Sequence, residues 1–209
     1  MTERFEVDTW EFEGEPVGRV LVLPGGFYPV ESPILYWACQ VAAGAGWQVT
    51  TMRWTVDEAA RREPARFVEQ AADLLAARAP AAPRTVIIGK SLGTRAAPWA
   101  NARGWSGVWL TPLLTEPVVR DALTGDGPPA TAIGGTADPV WDGAVARRLR
   151  GTVVELAGAD HALHVGTDWR ASLDALTRAV EAVEVHLLAQ SGSDRAPRPR
   201  TRSVSASPH

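Results

Sequence analysis

Short runs of Val, Leu and Ile alternate along this chain with longer stretches in which apolar residues recur at helical spacing. Arg19-Val20-Leu21-Val22-Leu23 is a buried-strand pattern that ends at the breaker Pro24-Gly25-Gly26. An apolar-rich helix is expected from about Pro33 to Gly44, then a strand over Trp47 to Trp54. Asp57 can cap a long helix reaching about Ala79, with Glu58, Glu63 and Glu69 on its exposed face. Further strands are predicted over Thr85–Ile88, Gly107–Thr111, Ala130–Gly134 and Thr152–Leu156. Helices are predicted after Ser91, from Asp142 to Arg150, and from Asp168 to about Leu188. Near the front, Phe5 to Glu13 alternates enough for an antiparallel edge strand.

Strands alternating with helices predict a mostly parallel sheet covered on both faces, a three-layer α/β/α sandwich. In such sheets ligands bind beyond the carboxyl ends of the strands. Residues just past each predicted strand therefore come first in the search for chemistry.

The most informative of these is Gly89-Lys90-Ser91-Leu92-Gly93, directly after Thr85-Val86-Ile87-Ile88. Strand, Gly-x-Ser-x-Gly and helix read as a nucleophile elbow, a turn so tight that its flanking residues must be small, with a strand-to-helix turn that happens to contain serine as the plainer reading. It lifts a serine hydroxyl clear of the sheet above the unpaired N–H groups of a helix start. Gly89-Lys90-Ser91 could also end a phosphate-binding loop, but that motif needs glycine at position 84, where Arg84 stands. The phosphate reading fails. Lys90 is the chain's only lysine, either a survivor of a bias toward arginine or a site that wants a compact ammonium.

Serine needs a general base, usually a histidine held by a carboxylate. Of His161, His164, His186 and His209, the last ends the chain, and His186 falls in the final predicted helix, where a partly exposed surface position is expected. His161 is favoured over His164, being nearer the end of its strand and flanked by small residues. Asp138, in Gly134-Gly135-Thr136-Ala137-Asp138-Pro139-Val140, is the candidate acid, with an Asx-turn residue as the plainer reading. Asp142 is expected to cap the next helix, and Asp160 lies too close to His161 to partner it. The order Ser91, Asp138, His161 places all three just past strand ends.

With these motifs in place, residues 19 to 188 resemble the α/β-hydrolase superfamily, in a small form without a cap domain. Ala159-Asp160-His161-Ala162-Leu163, with Lys90 beside the serine, is similar to the dienelactone-hydrolase-like branch, although dienelactone hydrolases carry a cysteine where this chain has Ser91. The resemblance implies an acyl-enzyme mechanism with an oxyanion hole from the Leu92 N–H and a second donor after the first strand. Many relatives begin that loop His-Gly; here it is Pro24-Gly25-Gly26-Phe27, with Gly26 the first choice and Phe27 the second. Phe27, Tyr28, Leu113, Trp141 and Leu163 are placed to line the cleft, with ordinary core as the equal alternative for each, and the short Leu113–Pro129 segment leaves no room for a cap domain.

Composition narrows the rest. One domain over residues 1–189 is expected, followed by a disordered basic tail, 190–209, whose four arginines against Asp194 give +3 and leave the body at −6. Net charge of −3 argues against nucleic-acid binding, and no apolar run is long enough to span a membrane. The charged start, Met1 to Glu6, is unlike a signal peptide, so a cytoplasmic home is expected. Cys39, the only cysteine, reads as a small core residue. No His/Cys cluster has metal-ligand spacing, and neither metal nor cofactor is expected. The expected function is hydrolysis of an ester or thioester of a small substrate. An acyltransferase or cofactor-free haloperoxidase could use the same three residues, and a non-catalytic binding protein could keep the fold.

Overall fold

A computed structural model of the protein describes residues 4–192. Seven strands form one sheet: β1 (Phe5–Thr9), β2 (Gly18–Leu23), β3 (Trp47–Trp54), β4 (Thr85–Lys90), β5 (Ser106–Leu110), β6 (Ala130–Gly135) and β7 (Thr152–Leu156). Their spatial order is β1-β3-β2-β4-β5-β6-β7. Every neighbouring pair is parallel except β1 with β3. The helices are α1 (Pro33–Gly44), α2 (Glu58–Arg62), α3 (Pro64–Arg78), α4 (Ala97–Ala102), α5 (Pro117–Thr124), α6 (Gly143–Ala146) and α7 (Trp169–Gln190).

Period-two alternation sorts the strand residues between two cores. Leu21, Leu23, Ile87 and Trp109 face α3 and α4, while Val20, Val22, Val86, Ile88, Val108 and Leu110 face α1 and α7. Strands β2, β4, β5 and β6 are buried on both faces almost throughout, which is why they read as apolar runs, whereas β7 at the edge is largely exposed. The predicted three-layer α/β/α sandwich is the observed architecture.

Several boundaries differ from the sequence expectation, for local reasons. The edge strand stops at Thr9, and the acidic stretch beyond it turns through Gly14 at φ 85°. The helix expected to run unbroken from Asp57 splits at Glu63-Pro64, because proline lacks the N–H that continues a helix and fits only its first turn. Asp57 still caps the first piece, accepting from Ala60 N at 2.7 Å. After Ser91 the chain makes a 3₁₀ turn to Ala96 before α4, which carries Pro98 in its first turn. Helix α6 is shorter than expected, with Asp142 as its cap. The final helix continues to Gln190, into the segment read as tail; residues 193–209, with His209 and the tail arginines, lie outside the described residues.

Topology fixes where a site can form. From β2 the chain crosses by α1 on one face to β3, then returns by α2 and α3 on the other face to β4. The carboxyl ends of β2 and β4 thus lie side by side at the point where the connections diverge, the position at which such sheets open a crevice. Between β5 and β6 the only helix is α5, of eight residues, so no cap domain covers that end. Among the described residues, no helix is long and apolar enough to cross a membrane.

Candidate active site

Ser91 begins the turn after β4 with φ 51°, a left-handed conformation costly for a residue with a side chain. Its neighbours explain how the strain is held. A Cβ on Gly93 would come within 2.5 Å of the Leu23 carbonyl oxygen and 2.8 Å of that of Pro24. A Cβ on Gly89 would come within 2.9 Å of both the Gly93 carbonyl oxygen and the Trp109 ring. The elbow is therefore pressed against the end of β2, and Gly93 N donates to Pro24 O at 3.1 Å.

The loops after β4, β6 and β7 bring Ser91, Asp138 and His161 into one hydrogen-bonded chain. His161 Nε2 lies 2.7 Å from Ser91 Oγ, and His161 Nδ1 lies 2.7 Å from Asp138 Oδ2. With the proton on Nδ1, the ring donates to the carboxylate and accepts from the hydroxyl, the arrangement in which Nε2 can take the serine proton. Asp138 also fills the plainer role, since its Oδ1 accepts from Val140 N at 3.0 Å in an Asx turn. One carboxylate oxygen shapes the loop while the other holds the ring.

The loop that carries His161 is built as firmly. Asp160 Oδ1 accepts from Ala162 N at 2.8 Å and His164 N at 2.9 Å, and Leu163 completes the turn at φ 65°. Gly158 N donates to Thr136 Oγ1 at 2.7 Å and Ala137 N to Ala159 O at 3.0 Å, stitching the Asp138 and His161 loops together. The competitor His164 is exposed, and it is His161 that reaches the serine.

The loop after β2 lies against the elbow. A Cβ on Gly25 would sit 3.6 Å from Ser91 Cβ, and one on Gly26 would meet only Leu92 Cδ2, at 3.8 Å. Gly25 N is committed to Tyr28 O at 2.9 Å, whereas the Gly26 N–H has no backbone acceptor among the described residues. Leu92 lies in the first turn of the 3₁₀ segment, where N–H groups lack partners within the turn. Trp54, which the sequence placed only as the end of a strand, braces the loop by donating Nε1 to Gly25 O at 3.0 Å. It supplies from β3 a support for which the Pro24 position has no side-chain donor.

Beside this loop a cavity of about 210 Å³ is lined by Gly26, Phe27, Tyr28, Met52, Arg53 and Trp54, among others. Phe27 stands on its rim with 88% of its surface exposed. Tyr28 is pinned, its hydroxyl accepting from Ile34 N at 3.2 Å. Leu113, Trp141 and Leu163 do not line this cavity. Leu113 packs half-buried against the core, and Leu163 is buried on the opposite face of the sheet. Trp141 is buried against Gly134 and donates Nε1 to Glu155 Oε2 at 2.8 Å.

Two other titratable residues are accounted for by burial. Cys39 is sealed in α1, where loss of solvent pushes its thiol up to about 12 and leaves it a poor nucleophile. His186 is not at the surface as expected but 6% exposed, its Nδ1 3.0 Å from Thr131 Oγ1, and burial pushes its pKa down to about 4.

No protein-family model matches the chain, and no curated protein matches it significantly. Solved structures do match, at 13–15% identity in the three that follow. An α/β serine hydrolase homologue from Coxiella burnetii superposes with a TM-score of 0.61 at 14% identity, covering 88% of this chain and 91% of that one. Est1E from Butyrivibrio proteoclasticus gives 0.65 at 13% identity over 89% and 93% of the two chains. A lidless α/β serine hydrolase from Xanthomonas campestris gives 0.58 at 15% identity over 87% and 88%. The chain has the α/β-hydrolase fold.

Proposed function

We propose that the protein is a serine hydrolase that cleaves an ester or thioester of a small substrate through an acyl-enzyme. The observation that carries this reading is the unbroken chain Ser91 Oγ–His161 Nε2 and His161 Nδ1–Asp138 Oδ2, each link 2.7 Å, at the crevice end of the sheet. His161 Nε2 takes the Ser91 proton as Oγ bonds to the substrate's carbonyl carbon, and the carbonyl π electrons move to oxygen. The N–H groups of Leu92 and Gly26 would receive that oxyanion, a contribution of about 10²–10³ in rate per donor. Collapse breaks the bond to the alcohol or thiol, which leaves with the proton from Nε2. Water then repeats the sequence on the acyl-serine and releases the acid. Asp138 holds the ring in the required tautomer and offsets the imidazolium charge.

A guide to substrate size is the cavity beside the proposed oxyanion donor Gly26, which none of Ser91, Asp138 and His161 lines. At about 210 Å³ it falls below the range of roughly 300–1,000 Å³ usual for drug-sized ligands. That supports a small acyl or alcohol group, held near Phe27 and Trp54. Est1E has been solved with ferulic acid bound, which supports carboxylic esters as the first substrates to try.

A fluorophosphonate probe tests the reading. The native chain should label on one residue, and Ser91→Ala and His161→Ala should lose the label. A folded native chain that does not label would remove Ser91 as the nucleophile. Short p-nitrophenyl esters should then be turned over, with rates falling as the acyl chain outgrows the cavity.

A further inference from the structure

Lys90 is the last residue of β4 and the chain's only lysine, yet it is 1% exposed. Its side chain leaves the sheet on the α1 face, beneath the base loop. Nζ donates to Thr111 Oγ1 at 2.7 Å and to the His161 backbone oxygen at 2.7 Å. The ammonium also sits 4.8 Å from the centre of the Tyr28 ring, which offers its negative face. Burying an ammonium costs several kcal/mol, and an apolar side chain of equal volume would fill the space without that cost. The charge therefore needs a reason beyond packing.

Three non-glycine residues with positive φ occur among the described residues: Ser91, Thr111 and Leu163, at 51°, 41° and 65°. Ser91 follows Lys90 in the chain, Thr111 accepts its hydrogen bond, and Leu163 lies two residues past the carbonyl it binds. The strained positions of the site converge on this one side chain. A guanidinium, planar, forked and bulkier, would not reproduce the compact point charge that Nζ places between its two acceptors.

We propose that Lys90 is the positioning residue for the base: its ammonium ties the His161 backbone to Thr111 at the end of β5 and so keeps Nε2 over the Ser91 hydroxyl. The proposal rests on the hydrolase reading above. The groups facing the ammonium are Asp138 from the β6 loop, Asp160 and His161 from the β7 loop, Thr111 after β5 and Tyr28 after β2. Burial draws the Lys90 pKa down to about 8, and the charges of Asp138 and Asp160 oppose that shift. Below that value the tie to the carbonyl is charge-assisted; above it the amine is neutral and the bond roughly half as strong. The native kcat should therefore decline as pH rises through the Lys90 pKa.

A single lysine makes the test direct. The full chain labelled with ¹⁵Nζ-lysine has one side-chain amine resonance, to be titrated before and after phosphonylation of Ser91. Expected are a midpoint near 8 and a changed shift or midpoint once Ser91 is modified. Lys90→Met should lower kcat for p-nitrophenyl acetate about 10²-fold, the scale set by a 1 Å misplacement, and abolish the alkaline decline. KM should stay within about twofold, because substrate contacts are untouched. Thr111→Val, which removes one acceptor and keeps the other, should move the amine midpoint down and lower kcat less. Folded Lys90→Met with native kcat and pH profile would overturn the proposal. Where that variant fails to fold, a native amine resonance indifferent to Ser91 modification overturns it, as does an unmoved midpoint in Thr111→Val. A native chain that never labels defeats the hydrolase reading instead.

Discussion

His161 Nδ1 stands 2.7 Å from Asp138 Oδ2, with the carboxylate side chain wholly buried while the imidazole keeps 37% of its side-chain surface open. The Asp138 carboxylate is fixed by protein on every side, and the His161 ring reaches out from it toward solvent. Asp138→Asn preserves shape and can keep the acceptor for Val140 N, but presents an amide that favours the wrong imidazole tautomer. By analogy with other Ser-His-Asp sites, kcat toward a p-nitrophenyl ester should fall about 10⁴-fold. Circular dichroism and thermal melting should show the fold intact. A native rate would remove Asp138 from the reaction.

Gly93 gives a prediction about stability and rate together. Its missing side chain lets the elbow lie against Leu23 and Pro24, where a Cβ would meet backbone atoms that cannot rotate away. Gly93→Ala should lower stability by about 1–3 kcal/mol, the usual cost of overpacking, and slow fluorophosphonate labelling. Gly44→Ala, at a position with nothing within 4 Å, is the control and should leave both unchanged or slightly raise stability. Urea midpoints and labelling rates of the two variants decide the matter.

His186 should impose an acid limb on stability. Its folded pKa is pushed down to about 4 from an ordinary 6.5, so between those values the unfolded chain binds a proton that the folded chain refuses. Stability is thus full above about 6.5 and declines as pH falls toward about 4, by an amount on the order of 3 kcal/mol. His186→Leu should flatten this limb in urea titrations, after a fixed loss from leaving the Thr131 hydroxyl unpaired. A limb of unchanged slope in the variant would assign the effect to other groups.

Phe27 separates binding from chemistry. It is exposed on the rim of the cavity, one residue from the proposed oxyanion donor Gly26. Phe27→Ala should raise KM for aromatic esters several-fold, roughly 1 kcal/mol of lost contact, with kcat held. A fall in kcat at constant KM would instead place the Phe27 backbone among the oxyanion donors.

The sheet was legible because parallel strands buried on both faces leave apolar runs that little else produces. Gly89 and Gly93 around Ser91 were legible for a similar reason, since the turn admits few residue types. Other features were present in the sequence but unread. Pro64 marks the helix break by its own chemistry, and the spacing Ala175, Ala179, Val183, His186 and Leu187 traces the buried stripe of α7. That stripe puts His186 inside. Trp54 and Lys90 are of another kind, because their partners lie 29 and 71 residues away in Gly25 and His161. Nothing local distinguishes a bracing tryptophan from a core one, and the hollow that holds Trp141 exists only because Gly134 is opposite it.

The short path from β5 to β6 has a consequence for the acyl-enzyme proposed on Ser91. With only α5 in that connection and His161 open to solvent, the acceptor of the acyl group would be drawn straight from bulk. Water and any added alcohol would then compete by concentration alone, so the ratio of transferred to hydrolysed product should rise linearly with alcohol and never saturate.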